Sequence, residues 1–138
     1  MIILDTNVLS ELMRRDAEPQ VLRWLVAQAS TSLYTTAISE AEILYGLAAL
    51  PKGKRRNALE AAALGLFQDF DGRVLSFDSP AARYYAEIGI SRRRAGHPIS
   101  FADAQIAAIA RTHKARVATR DGKGFEGCGV ALVNPWSP

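Results

Sequence analysis

The chain has 138 residues, a net charge of +3 and a hydrophobic content of 49%. This length fits one domain that buries its own core, and the apolar content excludes a disordered chain. The single cysteine, Cys128, excludes an internal disulfide, and with only two histidines beside it an ordinary structural zinc site is excluded too.

The N-terminus shows no targeting segment. Met1 to Leu4 is apolar, but Asp5 follows at once, so the basic region and long apolar stretch of a signal peptide are missing. No window of the sequence reaches the length of a membrane span. We therefore expect a soluble cytoplasmic protein.

The predicted elements alternate between short strands and helices along the whole chain. Apolar runs predict buried strands, whereas apolar residues at helical spacing predict helices that Pro51 and Gly96 terminate. The predicted strands cover residues 1–4, 33–36, 73–77, 116–119 and 130–133. The predicted helices cover residues 6–15, 19–26, 37–50, 54–70, 78–94 and 100–113.

Strands separated by helices predict an α/β fold, because parallel pairing places the connecting helices on both faces of the sheet. We expect one domain over residues 1–138, with a central parallel sheet of about five strands flanked by helices. In such sheets the functional crevice lies at the carboxyl ends of the strands.

Three aspartates lie where such a crevice is expected. Asp5 ends the first strand, Asp121 follows the fourth, and Asp103 lies in the first turn of the last helix. Each also has an ordinary structural explanation: a helix N-cap for Asp5, a turn before Gly122 for Asp121, and a capping box with Ser100 for Asp103. Taken singly, none of the three establishes a site.

The helix from Ala37 to Pro51 adds a fourth acid. Its only charged residues are Glu40 and Glu42, which lie about 200° apart around the helix and cannot share a face. Both have apolar neighbours at helical spacing. We expect at least one to lie near packed structure, where an unpaired carboxylate is costly and a cation is a favourable partner. The spacing alone does not choose between them.

Acids that converge on one crevice predict a metal-dependent hydrolase. Mutual repulsion would raise their pKa values unless a cation compensates, and Mg²⁺ takes hard oxygen ligands of this kind. Such an ion polarises a phosphodiester and lowers the pKa of a bound water. The calculated pI of 9.3 suits a nucleic-acid partner. The basic runs at residues 52–56 and 92–94 are either RNA contacts or solvated helix ends.

The segment 122–127 matches the dinucleotide-binding pattern G-x-G-x-x-G, but it lacks the context of that motif. No helix and no acid about 20 residues later can follow before the chain ends at Pro138. We interpret the segment as a flexible glycine loop beside Asp121.

Four short motifs in order resemble those of PIN-domain proteins. They are Ile3-Leu4-Asp5-Thr6-Asn7-Val8, Ala41-Glu42-Ile43-Leu44-Tyr45-Gly46, Ala102-Asp103-Ala104-Gln105-Ile106-Ala107-Ala108 and Ala118-Thr119-Arg120-Asp121. The chain is most similar to the VapC-type toxins and to their FitB-like branch, which shares an ending like Val133-Asn134-Pro135-Trp136. The resemblance covers essentially the whole chain.

The resemblance implies an endoribonuclease that depends on Mg²⁺ or Mn²⁺ and is the toxin of a type II toxin–antitoxin pair. Its catalytic, metal-binding acids would be Asp5, Glu42, Asp103 and Asp121, so the resemblance chooses Glu42 over Glu40. It also implies supporting roles for Asn7 and Thr119. The implied partners are a second copy of the chain, a small antitoxin and, through the antitoxin complex, operator DNA.

Two other functions compete with this interpretation. A non-catalytic nucleic-acid-binding regulator of the same fold would bind RNA or DNA with a salt-sensitive affinity that a chelator leaves unchanged. A phosphatase with Asp5 as its covalent nucleophile would resemble haloacid-dehalogenase-like enzymes. Those enzymes have a second aspartate two residues later, where this chain has Asn7.

Overall fold

The computed structural model describes residues 1–138 as five strands, six α-helices and two short 3₁₀ helices. The strands are β1 (Ile2–Leu4), β2 (Leu33–Thr36), β3 (Val74–Leu75), β4 (Arg116–Ala118) and β5 (Leu132–Val133). The α-helices are α1 (Thr6–Leu12), α2 (Pro19–Val26), α3 (Ala37–Ala48), α4 (Lys54–Asp69), α5 (Ser79–Arg94) and α6 (Phe101–Thr112). The 3₁₀ helices are Ser30–Ser32 and Gly122–Phe125. None of these helices is both long and apolar enough to traverse a lipid bilayer.

The five strands form one parallel sheet in the order β3-β2-β1-β4-β5, which confirms the predicted fold class. The central strand β1 is covered on both faces, and this explains its continuous apolar sequence. Beyond β1, the N–H of Asp5 donates to the carbonyl of Ala118 at 2.9 Å. The ends of β1 and β4 therefore lie side by side and bring the residues that follow them together.

Helices pack on both faces of the sheet and create two hydrophobic clusters. Ile3 points into the cluster made largely by α5 and α6, whereas Ile2 and Leu4 point into the cluster that includes residues of α1, α2 and α3. This division follows from the alternation of side chains along a strand. Both clusters hold the sheet rigidly beneath the carboxyl ends of its strands.

Most predicted elements extend one or more residues beyond the observed ones, as at β3, β5 and α1. Both edge strands contain two residues, because each pairs on one side only and over a short register. The apolar residues predicted to extend them, Phe77 and Val130, pack against the core without joining the sheet. Helix α1 ends at Leu12 instead of Arg15, and Arg14 pairs with Glu11 near this end.

Helix α6 packs through alanines that leave little room beneath the sheet. Ala107 and Ala108 are fully buried in one hydrophobic cluster. We expect Ala108→Leu to lower the free energy of unfolding by about 1–3 kcal/mol, because three added carbons cannot fit a closely packed interior without strain. Urea denaturation measures this change. Ala86→Leu on the exposed face of α5 is the control and should shift the unfolding free energy by no more than about 0.5 kcal/mol.

Candidate active site

Asp5 is the buried centre of the site, with 5% of its surface exposed. Its Oδ1 accepts a hydrogen bond of 2.8 Å from the N–H of Thr6, where α1 begins. Its Oδ2 accepts one of 2.8 Å from the Thr119 hydroxyl and a longer one of 3.4 Å from the Asn7 amide. Asp5 therefore caps α1 and also faces the end of β4. The helix N-cap and the crevice position considered from sequence are thus compatible.

Asn7 and Thr119 hold the segment after β4 against the start of α1. The Thr119 hydroxyl accepts from the Asn7 amide at 3.2 Å and from the N–H of Asp121 at 3.1 Å. The Asn7 Oδ1 accepts from the N–H of Arg120 at 3.2 Å. Through these bonds the two predicted supporting residues fix the backbone on which Asp121 is carried.

Glu42 reaches the site from α3 and is exposed. Its Oε1 accepts a hydrogen bond of 2.7 Å from the Thr6 hydroxyl, and this contact connects α3 to α1. Glu40 is half-buried and lies in a different groove, between α3 and α4, beside Arg56. The acid near packed structure is thus Glu40, whereas the acid at the crevice is the more exposed Glu42, as the family resemblance implied.

Asp103 and Asp121 face each other across Gly124. The Ser100 hydroxyl caps α6 by accepting from the N–H of Asp103 at 3.1 Å, and Asp121 Oδ1 accepts from the N–H of Gly124 at 3.2 Å. A Cβ on Gly124 would lie 2.8 Å from Asp121 Oδ2 and 3.4 Å from Asp103 Oδ2. A larger residue here would therefore displace the Asp121 carboxylate, whereas the Asp103 carboxylate would be at the edge of ordinary van der Waals contact.

The segment after Asp121 is not the flexible loop expected from its glycines. Residues 122–125 form a 3₁₀ helix, and the side chains of Phe125 and Cys128 are buried in the core. The glycine-rich sequence instead reflects the tight space at Gly124 and the positive φ angles of 75° at Gly127 and Gly129.

All four predicted acids line one open cleft with a volume of about 590 Å³. The structure therefore brings together all the acids that the sequence analysis selected. The other polar and aromatic side chains of this cleft are ones that the sequence did not assign to it, although several adjoin a selected residue in the chain. These are Thr6, Ser10, Glu11, Arg14, Arg120 and Trp136.

The carboxylates influence one another electrostatically. Burial raises the pKa of Asp5 to about 6, partly offset by hydrogen bonds from Thr119 and Thr6 and reinforced by the charges of Asp103 and Glu42. Burial likewise raises the pKa of Asp103. The charges of Glu42 and Asp121 raise this pKa further, whereas a hydrogen bond with the Ser100 side chain lowers it. The cleft concentrates negative charge that a cation would stabilise.

The donor chemistry of the cleft fits a hard divalent cation. No three of the acidic side chains are close enough together here to hold a metal ion between them. Mg²⁺, however, uses one or two carboxylates and fills its other positions with water and substrate oxygens. Asp121 Oδ2 and Glu42 Oε2 accept no hydrogen bond from the protein, so both oxygens remain available as ligands for a cation.

Arg92 has a structural role that differs from its predicted place in a solvated or RNA-binding run. Its side chain is buried, and its guanidinium donates to the carbonyls of His97 at 2.7 Å, Gly124 at 2.9 Å and Glu126 at 2.8 Å. It thereby ties α5 to the turn that carries Gly124. Only Arg93 and Arg94 of this run are exposed.

The comparisons with known proteins agree with this fold and cleft. Residues 2–127 match the family model described as the PIN domain. The chain is 46% identical to VapC ribonuclease Y4jK of Sinorhizobium fredii, over 100% of this chain and 99% of that protein. It is 42% identical to Toxin FitB of Neisseria gonorrhoeae, over 99% of both chains. The structure of FitAB bound to IR36 DNA superposes with a TM-score of 0.92 at 41% identity, covering 100% of this chain and 97% of that one.

The PIN-domain model matches residues 2–127 of a chain that folds around a parallel sheet in this order, so the chain belongs to the PIN-domain family. Within that family it falls in the VapC-type, FitB-like branch, because the identity extends over nearly the whole of both chains. The predicted family and fold class are thus confirmed.

The raised pKa of Asp5 predicts a pH-dependent stability of the metal-free protein. The native state holds a proton on Asp5 that the unfolded chain has already lost above its ordinary pKa of 3.8. The contribution of Asp5 to the unfolding free energy should therefore fall by about 2 kcal/mol as pH rises from 4 to 6. Asp5→Asn should remove this contribution and leave that of Asp103, whose pKa is also raised, as measured by chemical denaturation in chelator.

The matched control for this measurement is Asp71→Asn, which alters an exposed aspartate after α4. Its unfolding free energy should follow the wild-type pH dependence. A stability difference between wild type and Asp5→Asn that stays constant from pH 4 to 7 would contradict the raised pKa.

Proposed function

We propose that this protein is a Mg²⁺-dependent endoribonuclease and the toxin of a type II toxin–antitoxin system. The observation that carries the proposal is the convergence of Asp5, Glu42, Asp103 and Asp121 on one open cleft. Membership of the VapC-type branch supports nuclease activity and a toxin role for this protein, since one relative is named a ribonuclease and another a toxin. We propose these four acids as the metal-binding catalytic residues.

In this mechanism the protein supplies a rigid, negatively charged frame. Asp5 is the most constrained member, because both carboxylate oxygens accept hydrogen bonds from neighbouring elements. When bound, Mg²⁺ supplies positive charge to the scissile phosphodiester and lowers the pKa of the attacking water. Asp103 and Asp121 present carboxylate oxygens across Gly124, where one of them can orient the water or accept its proton.

The partners of the relatives suggest the partners of this protein. Solved structures similar to this chain include FitAB bound to a DNA fragment and FitAcB from Neisseria gonorrhoeae. By analogy we propose a small antitoxin as the inhibitor, operator DNA as a ligand of the toxin–antitoxin complex, and a homodimer as the toxin's own assembly. We also expect Mn²⁺ to replace Mg²⁺, since both bind carboxylate and water ligands.

Cleavage of total bacterial RNA by the purified protein tests this function. We expect discrete new ends in Mg²⁺, none in chelator, and none with Asp103→Asn in Mg²⁺, since removing one carboxylate weakens both metal binding and charge stabilisation. End-mapping reads the products, and circular dichroism verifies that the variant is folded. Equal cleavage by wild type and Asp103→Asn would remove this residue from the site.

The same experiment separates the competing functions. RNA binding that chelator leaves unchanged, with no cleavage in any arm, would favour the non-catalytic regulator. Hydrolysis of p-nitrophenyl phosphate by wild type but not by Asp5→Asn would favour the phosphatase. Neither outcome is expected, because Asp5 is buried among acids and other hydrogen-bonding side chains.

The glycine between two of the acids gives a second prediction. Gly124→Ala should lower the cleavage rate by about tenfold, because its Cβ would displace the carboxylate of Asp121. Gly122→Ala in the same 3₁₀ turn is the control, since its Cβ would meet only Leu132 at 3.9 Å. Initial rates on one mapped RNA site measure both variants. Equal rates for the two variants would show that the space at Gly124 does not matter.

A further inference from the structure

Arg120 and Trp136 form a stacked pair at the edge of the cleft. The guanidinium carbon of Arg120 lies 5.0 Å from the centroid of the Trp136 ring. Both side chains line the cleft that contains the four acids, and Trp136 is the one hydrophobic residue among those that line it. A half-buried aromatic ring in an otherwise polar cleft therefore carries a planar cation on its face.

Arg120 forms no ion pair with any acid, although five carboxylates line the same cleft. No carboxylate lies within ion-pair distance of it, whereas Arg14, on the same cleft, pairs with Glu11 and Asp16. The residue is exposed, and its backbone N–H is fixed by Asn7 at 3.2 Å. The backbone of Arg120 is thus fixed by the site, while the residue as a whole stays exposed.

We propose that Arg120 and Trp136 form a base-stacking subsite for one nucleotide of single-stranded RNA, beside the phosphodiester that is cut. The proposal rests on the proposed ribonuclease function and names how that site recognises its substrate. Unpaired bases stack on aromatic rings and on guanidinium planes, and this stacking contributes to affinity for any base. Because Arg120 directly precedes Asp121, the subsite adjoins the acids that act on the phosphate.

A purely structural role does not explain why Arg120 lies over the Trp136 ring. Trp136 already packs against the core, and its backbone N–H donates to Asn134 Oδ1 at 2.9 Å. An exposed cation–π contact adds little to the stability of such a segment. Arg120→Ala should therefore shift the unfolding midpoint by less than about 4 °C.

Binding of labelled oligonucleotides in chelator tests the subsite without cleavage. The probes are an oligouridylate, an oligoadenylate and an abasic ribose-phosphate chain, each of about twelve nucleotides. We expect Arg120→Lys, which keeps the charge but loses the planar face, to weaken binding of the two base-containing probes about tenfold. Its affinity for the abasic chain should equal that of the wild type. Fluorescence anisotropy measures all three affinities.

Two further measurements support this comparison. Arg83→Ala removes an exposed cation on α5, outside the cleft, and should leave the preference for bases over the abasic chain unchanged. The base-containing probes should quench the emission of Trp136 in the wild-type protein, over a constant background from the buried Trp24. The abasic chain should not quench it.

Wild-type affinity of Arg120→Lys for the base-containing probes would overturn the proposal, and would leave this face free for a protein partner. Equal weakening of all three probes would also overturn it, because Arg120 would then contact phosphate only. If the wild type also shows metal-dependent cleavage, either of these two binding results would refute the subsite but not the proposed ribonuclease function. Base-dependent binding without any cleavage would instead support the subsite and refute the nuclease.

Discussion

Burial of one carboxylate among other acids is the constraint on which the rest of the site depends. Asp5 loses most of its hydration at the end of the central strand, and its raised pKa records the cost of that position. Hydrogen bonds from Thr6 and Thr119 offset part of the cost and fix the orientation of the carboxylate. Placing Asp5 close to the negative charges of Asp103 and Glu42 is unfavourable, and such an arrangement is typical of sites that bind a cation.

The other acids are held by the ordinary devices that begin helices and turns. Ser100 caps the helix that carries Asp103, and Asp121 itself caps the 3₁₀ turn at Gly124. Each local structural explanation considered from sequence describes a real contact. A capping residue at the carboxyl edge of a parallel sheet can line the crevice as well, because that edge is where helices start.

Much of this architecture follows from the sequence, because parallel α/β folds give continuous apolar strands and clear helix boundaries. The limits of β2 agree with the prediction to the residue, whereas the apolar runs near β3 and β5 did not reveal how few residues pair. The pairing of Arg120 with Trp136 and the burial of Arg92 were also not predictable. Both depend on contacts between distant parts of the chain, which composition and periodicity do not encode.

Because β1 pairs with β4, the cleft cannot form until β4 has been synthesised. Asp5 is synthesised first among the acids, yet the hydroxyl that orients it belongs to Thr119, 114 residues later. A chain still emerging from the ribosome can hold Asp5, Glu42 and Asp103 without the strand that brings them to one edge. The complete set of acids therefore comes together only after β4 and Asp121 have been synthesised, and a shorter nascent chain lacks the cleft.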